Sequence, residues 1–220
     1  MSGMVRKRVA ILISGRGSNM AALLAAAQGP AYPAEISLIV SNQADAKGLA
    51  TARAAGLATA LVEHRQFADR EAFERALQST LETHRIDIVC LAGFMRLLTP
   101  SFVGRWQERM LNIHPALLPA FKGLDTHERA RAAGVKIHGA TVHFVIPEMD
   151  SGPIIAQGAV SVHDDDTADM LAARALAVEH KIYPLALRLV AEGRVRIVDG
   201  RCLIDGAAFP DRSLIAPSAD

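Results

Sequence analysis

Residues 9–13 read VAILI, five apolar residues in unbroken succession. The turn Ser14-Gly15-Arg16-Gly17-Ser18-Asn19 follows, then an alanine- and leucine-rich helix to about Gln28. A strand with no polar face is buried on both sides, as in parallel sheets covered by helices. The alternation continues along the chain. Strands are predicted at 36–40, 60–62, 86–92 and 110–113, and helices at 46–55, 68–83 and from Pro100. Strands alternating with helices predict an α/β fold with a doubly wound, mostly parallel sheet.

The second half reads differently. In GATVHFVI (139–146), Ala140, Val142, Phe144 and Ile146 face one way and Thr141, His143 and Val145 the other. Residues 154–162 form a further strand, so a mixed or antiparallel second half is expected. A helix spans 167–192, with Asp164, Asp165 and Asp166 near its positive end. Pro184 is expected to kink or divide it. The chain then closes with a hairpin, 195–198 and 201–204 around Asp199-Gly200, and residues 216–220 are expected to fray. One domain, 1–220, is expected. Its part from about 8 to 113 would bind nucleotide or phosphate, and 114–205 would complete the site.

Composition excludes several classes. The formal net charge of +1 gives no electrostatic reason to expect nucleic acid or an anionic membrane as partner. No apolar run approaches the roughly 20 residues of a membrane span. The basic N-terminus precedes an apolar run too short for a signal peptide, with no small-residue cleavage site. Cys90 and Cys202 form no CxxC pair, which fits a reducing cytoplasm.

The glycine turn admits two readings. Its amides and the helix N-terminus can hold a phosphate, or the glycines serve only a tight strand–helix turn. It is not the dinucleotide fingerprint: Met20 stands at the third glycine position, and the second strand ends in SNQ without an acid. It is not a Walker A loop either. A mononucleotide-like or sugar-phosphate ligand fits better than NAD.

Residues 112–119 read NIHPALLP. In an extended segment Asn112 and His114 point the same way, and Pro115 disfavours helix at His114. The pair therefore stands at the carboxyl end of a strand, where open α/β sheets place ligands. A buried structural histidine is the other reading. Asp150, in DSGP, is on its own a turn-capping residue. His138 and His143, five apart, fall on opposite faces of a regular strand and do not form a metal pair. His64, His84, His163 and His180 lie in polar stretches and read as solvated. Cys90 and Trp106 read as packing.

NIHPALLPAFKG, HGATVHFVIPEMDSGPII and SGRGSN together resemble the folate-dependent formyltransferase superfamily, over residues 8–205 and in the same order. VSNQADAKGLATARA (40–54), VCLAGFMRLLTPSFV (89–103) and GLDTHERA (123–130) add to the resemblance. It implies a Rossmann-like formyltransferase fold and a cytoplasmic enzyme. The implied reaction moves a formyl group from 10-formyltetrahydrofolate to the amine of glycinamide ribonucleotide, in purine biosynthesis. It implies Asn112, His114 and Asp150 as the catalytic trio. Gly17, Ser18 and Asn19 would hold the ribonucleotide phosphate, and Glu179 its ribose. Arg70, Met95, Arg96, Leu97, Leu98, Asn112, Ile146, Pro147, Glu148, Met149 and Asp150 would line the folate site. His127 would shape the nucleotide side. Asp125 and Lys122 depart from the pattern, where the family commonly has histidine and proline.

In that chemistry Asn112 donates to the tetrahedral oxyanion. His114 donates beside it, and Asp150 orients His114. No metal is expected, the partners are small molecules, and the chain is expected to be a monomer or homodimer. A formyltetrahydrofolate hydrolase or a sugar-nucleotide formyltransferase shares the trio. A non-catalytic nucleotide-phosphate-binding module would share only the glycine turn. A methionyl-tRNA formyltransferase would add a nucleic-acid-binding domain, and this chain has no basic stripe.

Overall fold

The structure is a computed structural model and describes residues 5–208 and 214–217. The fraying expected at 216–220 falls mostly outside them. Nine strands and six α-helices are described: β1 Lys7–Ile13, α1 Ser18–Ala27, β2 Ala34–Ser41, α2 Lys47–Ala54, β3 Thr59–Leu61, α3 Arg70–Thr83, β4 Ile88–Leu91, α4 Pro100–Arg105, β5 Met110–His114, α5 Thr126–Ala132, β6 Ile137–Phe144, β7 Ile154–Ser161, α6 Ala168–Ala191, β8 Val195–Val198 and β9 Arg201–Ile204. Seven strands share one sheet in the order β3-β2-β1-β4-β5-β6-β7, and β8-β9 form a separate antiparallel hairpin. β1 pairs in parallel with β2 and β4, β2 with β3, and β4 with β5. β6 and β7 are antiparallel. This is the doubly wound, mostly parallel sheet with an antiparallel second half.

Contacts divide the chain into two compact units. The first comprises Met1–Asn112 with Phe144–Pro147, the second Ile113–His143 with Glu148–Asp220. In the first, Ala10, Leu12, Leu38, Val40, Leu77 and Leu81 form a core with Phe73, Phe102 and Trp106 from the helices. Strand residues 9–13 are fully buried, as an apolar run without a polar face requires.

In the second unit α6 lies against β7. A Cβ at Gly158 would collide with Val178 of α6, so the absence of a side chain permits this close approach. Pro184 does not divide α6, which runs unbroken for 24 residues. A proline inside a helix costs about 3 kcal/mol. Ile182, Tyr183, Ala186 and Leu187 are buried around it, and each large apolar side chain gains roughly 1.5–3 kcal/mol by burial.

Two elements differ from expectation. α5, THERARA, has no predicted counterpart: seven residues show less than two turns of periodicity, and Asp125 at its N-cap is left-handed (φ 55°). β6 ends at Phe144 rather than 146, after a register shift at Val142/His143. Val145 instead gives its N–H to the Met110 carbonyl (2.8 Å) and packs on the first unit's core.

Candidate active site

The second unit holds His114 and Asp150 in contact. β5 carries MLNIH, buried except for half-buried Asn112, and Asn112 and His114 are alternate residues of that one strand. Pro115 ends the strand, and the following turn is fixed from β6 and β7. The Thr141 hydroxyl donates to the Ala116 carbonyl (2.7 Å) and accepts from the Leu118 N–H (3.0 Å). The Gln157 amide donates to the Leu118 carbonyl (2.9 Å) and to Thr141 Oγ1 (3.0 Å). Thr126, at the start of α5, donates to the Pro115 carbonyl (2.7 Å). These bonds hold the chain on the carboxyl side of His114.

His114 is 4% exposed. Its Nδ1 lies 3.4 Å from Oδ2 of Asp150, and its Nε2 3.0 Å from the Phe121 carbonyl. Both ring nitrogens therefore face acceptors. A neutral imidazole has one N–H and can serve only one of them; the protonated ring serves both. Asp150 is left-handed (φ 50°). Its Oδ2 accepts the Gly123 N–H (2.8 Å), so the carboxylate reaches beyond its own turn, and Oδ1 lies 3.8 Å from Nε2 of His143.

His143 is buried at 2% exposure beside this carboxylate, and sequence reasoning weighed it only as a metal ligand. The Phe121 carbonyl was also missed, since a main-chain acceptor leaves no mark in a sequence. Lys122 donates to Ser151 Oγ (2.7 Å), and Arg129 donates to the Lys122 carbonyl (2.6 Å). The segment over His114 is thus tied at each residue from Phe121 to Gly123. Behind it His127 Nδ1 meets His138 Nε2 at 3.2 Å. Burial, with His127 beside it, pushes His138 down to about 4. Burial, with His114 nearby, also lowers His127.

Glu179 is buried on α6 at 7% exposure. Met149 is 54% exposed, and Glu148 is exposed.

The first unit holds the other predicted residues. Gly17 caps α1 in the left-handed region (φ 78°, ψ 30°). A Cβ there would meet the Gly48 Cα at 3.1 Å, and the Gly48 N–H bonds to the Gly15 carbonyl (3.0 Å). Glycine is required by geometry at this position, whatever it binds. Ser18 and Asn19 begin the helix. Beneath the turn, Ser14 Oγ donates to Asn42 Oδ1 (2.6 Å) and accepts the Met95 N–H (2.8 Å). His64 is not simply solvated: its Nδ1 lies 3.0 Å from the Asn42 carbonyl and 3.1 Å from Asn42 Nδ2. Met95 and Leu97 are 68% and 62% exposed. Leu98 packs on the core. Arg96, Arg70 at the start of α3, and Pro147 are exposed, and Ile146 is half-buried.

Among the described residues, His163, Asp165 and Asp166 bring potential metal ligands within 4.8 Å of one another. Asp166 is already engaged by Arg174 through both oxygens and by the His163 N–H (2.8 Å). The Arg174 guanidinium holds its carboxyl below the usual range. Among the described residues no helix is long and apolar enough to cross a membrane.

A buried histidine–carboxylate contact on a strand that also carries an amide is equipped for acyl-type transfer. Comparison with known proteins agrees with that chemistry. The chain is 41% identical to phosphoribosylglycinamide formyltransferase of Escherichia coli (strain K12), over 94% of this chain and 98% of that protein. It is 48% identical to the trifunctional purine biosynthetic protein adenosine-3 of Homo sapiens over 87% of this chain, but spans only 19% of that relative's length. A crystal structure of glycinamide ribonucleotide transformylase 1 from Symbiobacterium toebii superposes with a TM-score of 0.89 at 43% identity, covering 93% of this chain and 99% of that one. The family model described as formyl transferase matches residues 7–187, a stretch that takes in the glycine turn, β5, Asp150 and Glu179, and the chain belongs to the formyl transferase family.

Proposed function

We propose that this chain transfers a formyl group from 10-formyltetrahydrofolate to the amine of glycinamide ribonucleotide, as a cytoplasmic enzyme of purine biosynthesis. The observation that carries the reading is the His114–Asp150 contact (3.4 Å), two residues beyond Asn112 on one strand. A phosphate-binding module has no use for it. The names of the near full-length relatives support the choice of substrates.

In the reaction the amine nitrogen attacks the formyl carbon and a new C–N bond forms. The carbonyl electrons move to oxygen, and the Asn112 amide donates to that oxyanion. His114 exchanges the Phe121 carbonyl for the substrate and donates beside it, while Asp150 holds the ring's other nitrogen. The oxyanion then re-forms the carbonyl as the bond from the formyl carbon to the folate nitrogen breaks, and that nitrogen takes up a proton. The ammonium formed on the product side gives one up, so the reaction balances without metal or redox partner. The phosphate of the ribonucleotide rests on Gly17, Ser18 and Asn19 at the start of α1, and Glu179 binds its ribose. Met95–Leu98 with Arg70 and residues 146–150 receive the folate.

The test supplies 10-formyltetrahydrofolate with glycinamide ribonucleotide, with methionyl-tRNA or with water alone, and follows folate deformylation. Turnover dependent on glycinamide ribonucleotide is expected. Equal turnover in water would establish a hydrolase, and nucleotide binding without any turnover a binding module.

A further inference from the structure

We propose that Glu74 is a positioning residue for the formyl donor, acting through Thr99 on the loop that carries Met95–Leu98; this rests on the reading of that loop as part of the donor site. Glu74 lies on α3 and is 4% exposed. Its Oε1 accepts the Thr99 N–H (2.6 Å), and its Oε2 accepts the Thr99 hydroxyl. Thr99 Oγ1 in turn accepts the Phe102 N–H (3.2 Å) and caps α4. A buried carboxylate is costly unless its oxygens are satisfied, and here one residue satisfies both.

The loop is fixed at its other end by Ser14, whose N–H bonds the Gly93 carbonyl (3.1 Å) and whose hydroxyl accepts the Met95 N–H (2.8 Å). Between the two anchors Phe94 is buried and Leu98 packs on the core. Met95 and Leu97 stay exposed. Large apolar side chains held in water by anchored backbone form a prepared contact surface, and preorganisation of this kind shows as affinity. Among the described residues, the hydrogen bonds between α3 and the loop are those of Glu74 with Thr99. Removing them frees one end and leaves His114, Asp150 and the glycine turn unaltered.

The test measures steady-state kinetics with 10-formyltetrahydrofolate and glycinamide ribonucleotide for Glu74→Gln, Thr99→Val, Thr99→Ser and Met95→Ala. Glu74→Gln and Thr99→Val should raise the donor KM about tenfold, the size of one charge-assisted hydrogen bond. Ribonucleotide KM and kcat at saturating donor should stay within about twofold, and Thr99→Ser should keep the parent donor KM. If Met95→Ala raises the donor KM while folded Glu74→Gln and Thr99→Val do not, Glu74 only supports the Thr99 cap of α4 and the proposal is overturned. If Met95→Ala leaves the donor KM unchanged, the loop is not part of the donor site and that reading fails with it. If kcat and both KM values worsen together, in step with a lowered Tm, the role is general stability and the proposal is again overturned.

Discussion

Nε2 of His114 lies 3.0 Å from the main-chain carbonyl of Phe121, seven residues further along the chain. The contact occupies a nitrogen that the proposed chemistry needs, and substrate must take the place of the carbonyl. The opposite nitrogen stays on Asp150, so the ring can change one partner without losing its orientation.

Asp150→Asn separates a catalytic from a turn-forming role. The amide keeps the size of the carboxylate and can still accept the Gly123 N–H. Structure and Tm should therefore change little. We expect kcat to fall about 10²–10⁴-fold, the range for a lost acid–base or orienting group, with much smaller changes in folate affinity. Near-normal kcat in steady-state assays would reduce Asp150 to turn chemistry.

For the phosphate site the informative substitution is Ser18→Ala. Gly17→Val would strain a left-handed residue packed on Gly48, so its effect would not be specific to phosphate. Ser18→Ala removes one donor beside the helix N-terminus and should raise the ribonucleotide KM by roughly tenfold at nearly constant kcat. An unchanged KM would restrict phosphate recognition to the backbone.

Thr141→Val should damage both stability and turnover. Its fully buried hydroxyl joins the Ala116 carbonyl, the Leu118 N–H and Gln157. Valine fills the space but removes the hydroxyl's three bonds, at roughly 0.5–1.5 kcal/mol each, while the Leu118 N–H keeps the Ala116 carbonyl (3.2 Å) and Gln157 keeps the Leu118 carbonyl (2.9 Å). A lowered Tm in calorimetry, with kcat reduced because the turn after His114 loosens, is the expected result. Parent stability would show that the turn is held by its other contacts.

The His127–His138 pair predicts loss of stability in acid. Burial first, and then His127, lowers His138 to about 4 from an ordinary value of 6.5. The folded state thus binds its proton less readily than the unfolded chain. The stabilisation is complete above about pH 6.5 and is lost as pH falls through 6.5 towards 4, on the order of 3 kcal/mol in all. Denaturant titration of the parent and of His138→Gln should show a steep decline over this window for the parent and a shallower one for the variant. Parallel profiles would remove the pair from the acid response.

The alternation of apolar runs and helices is legible because each run is long enough to show its period, as in residues 9–13 and 70–83. α5 is too short to do so, and the early end of β6 follows from a register shift that the alternation GATVHFVI does not reveal. Asn112, His114 and Asp150 stand out through the prolines and glycine around them. His143 does not, because a histidine in an apolar strand looks the same whether it packs or pairs. Glu74 and Glu179 look like surface charges on helices, and only tertiary contacts bury them. His64 follows the same rule, since its partner Asn42 lies in the bend after β2, 22 residues earlier in the chain.

Asn42 offers two groups to the single nitrogen of His64. With a hydrogen on Nδ1 the ring must donate to the Asn42 carbonyl; without one it accepts from the Asn42 amide. In the second case Asn42 turns its oxygen to Ser14, whose hydroxyl donates as observed. In the first, the amide has reason to turn over, and the Ser14 oxygen would then receive hydrogens from both Asn42 and Met95. The tautomer of a partly exposed imidazole thereby selects the direction of a hydrogen-bond relay running under the glycine turn. Nitrogen chemical shifts of His64, read beside the side-chain amide signals of Asn42, would record both ends of that relay in one experiment.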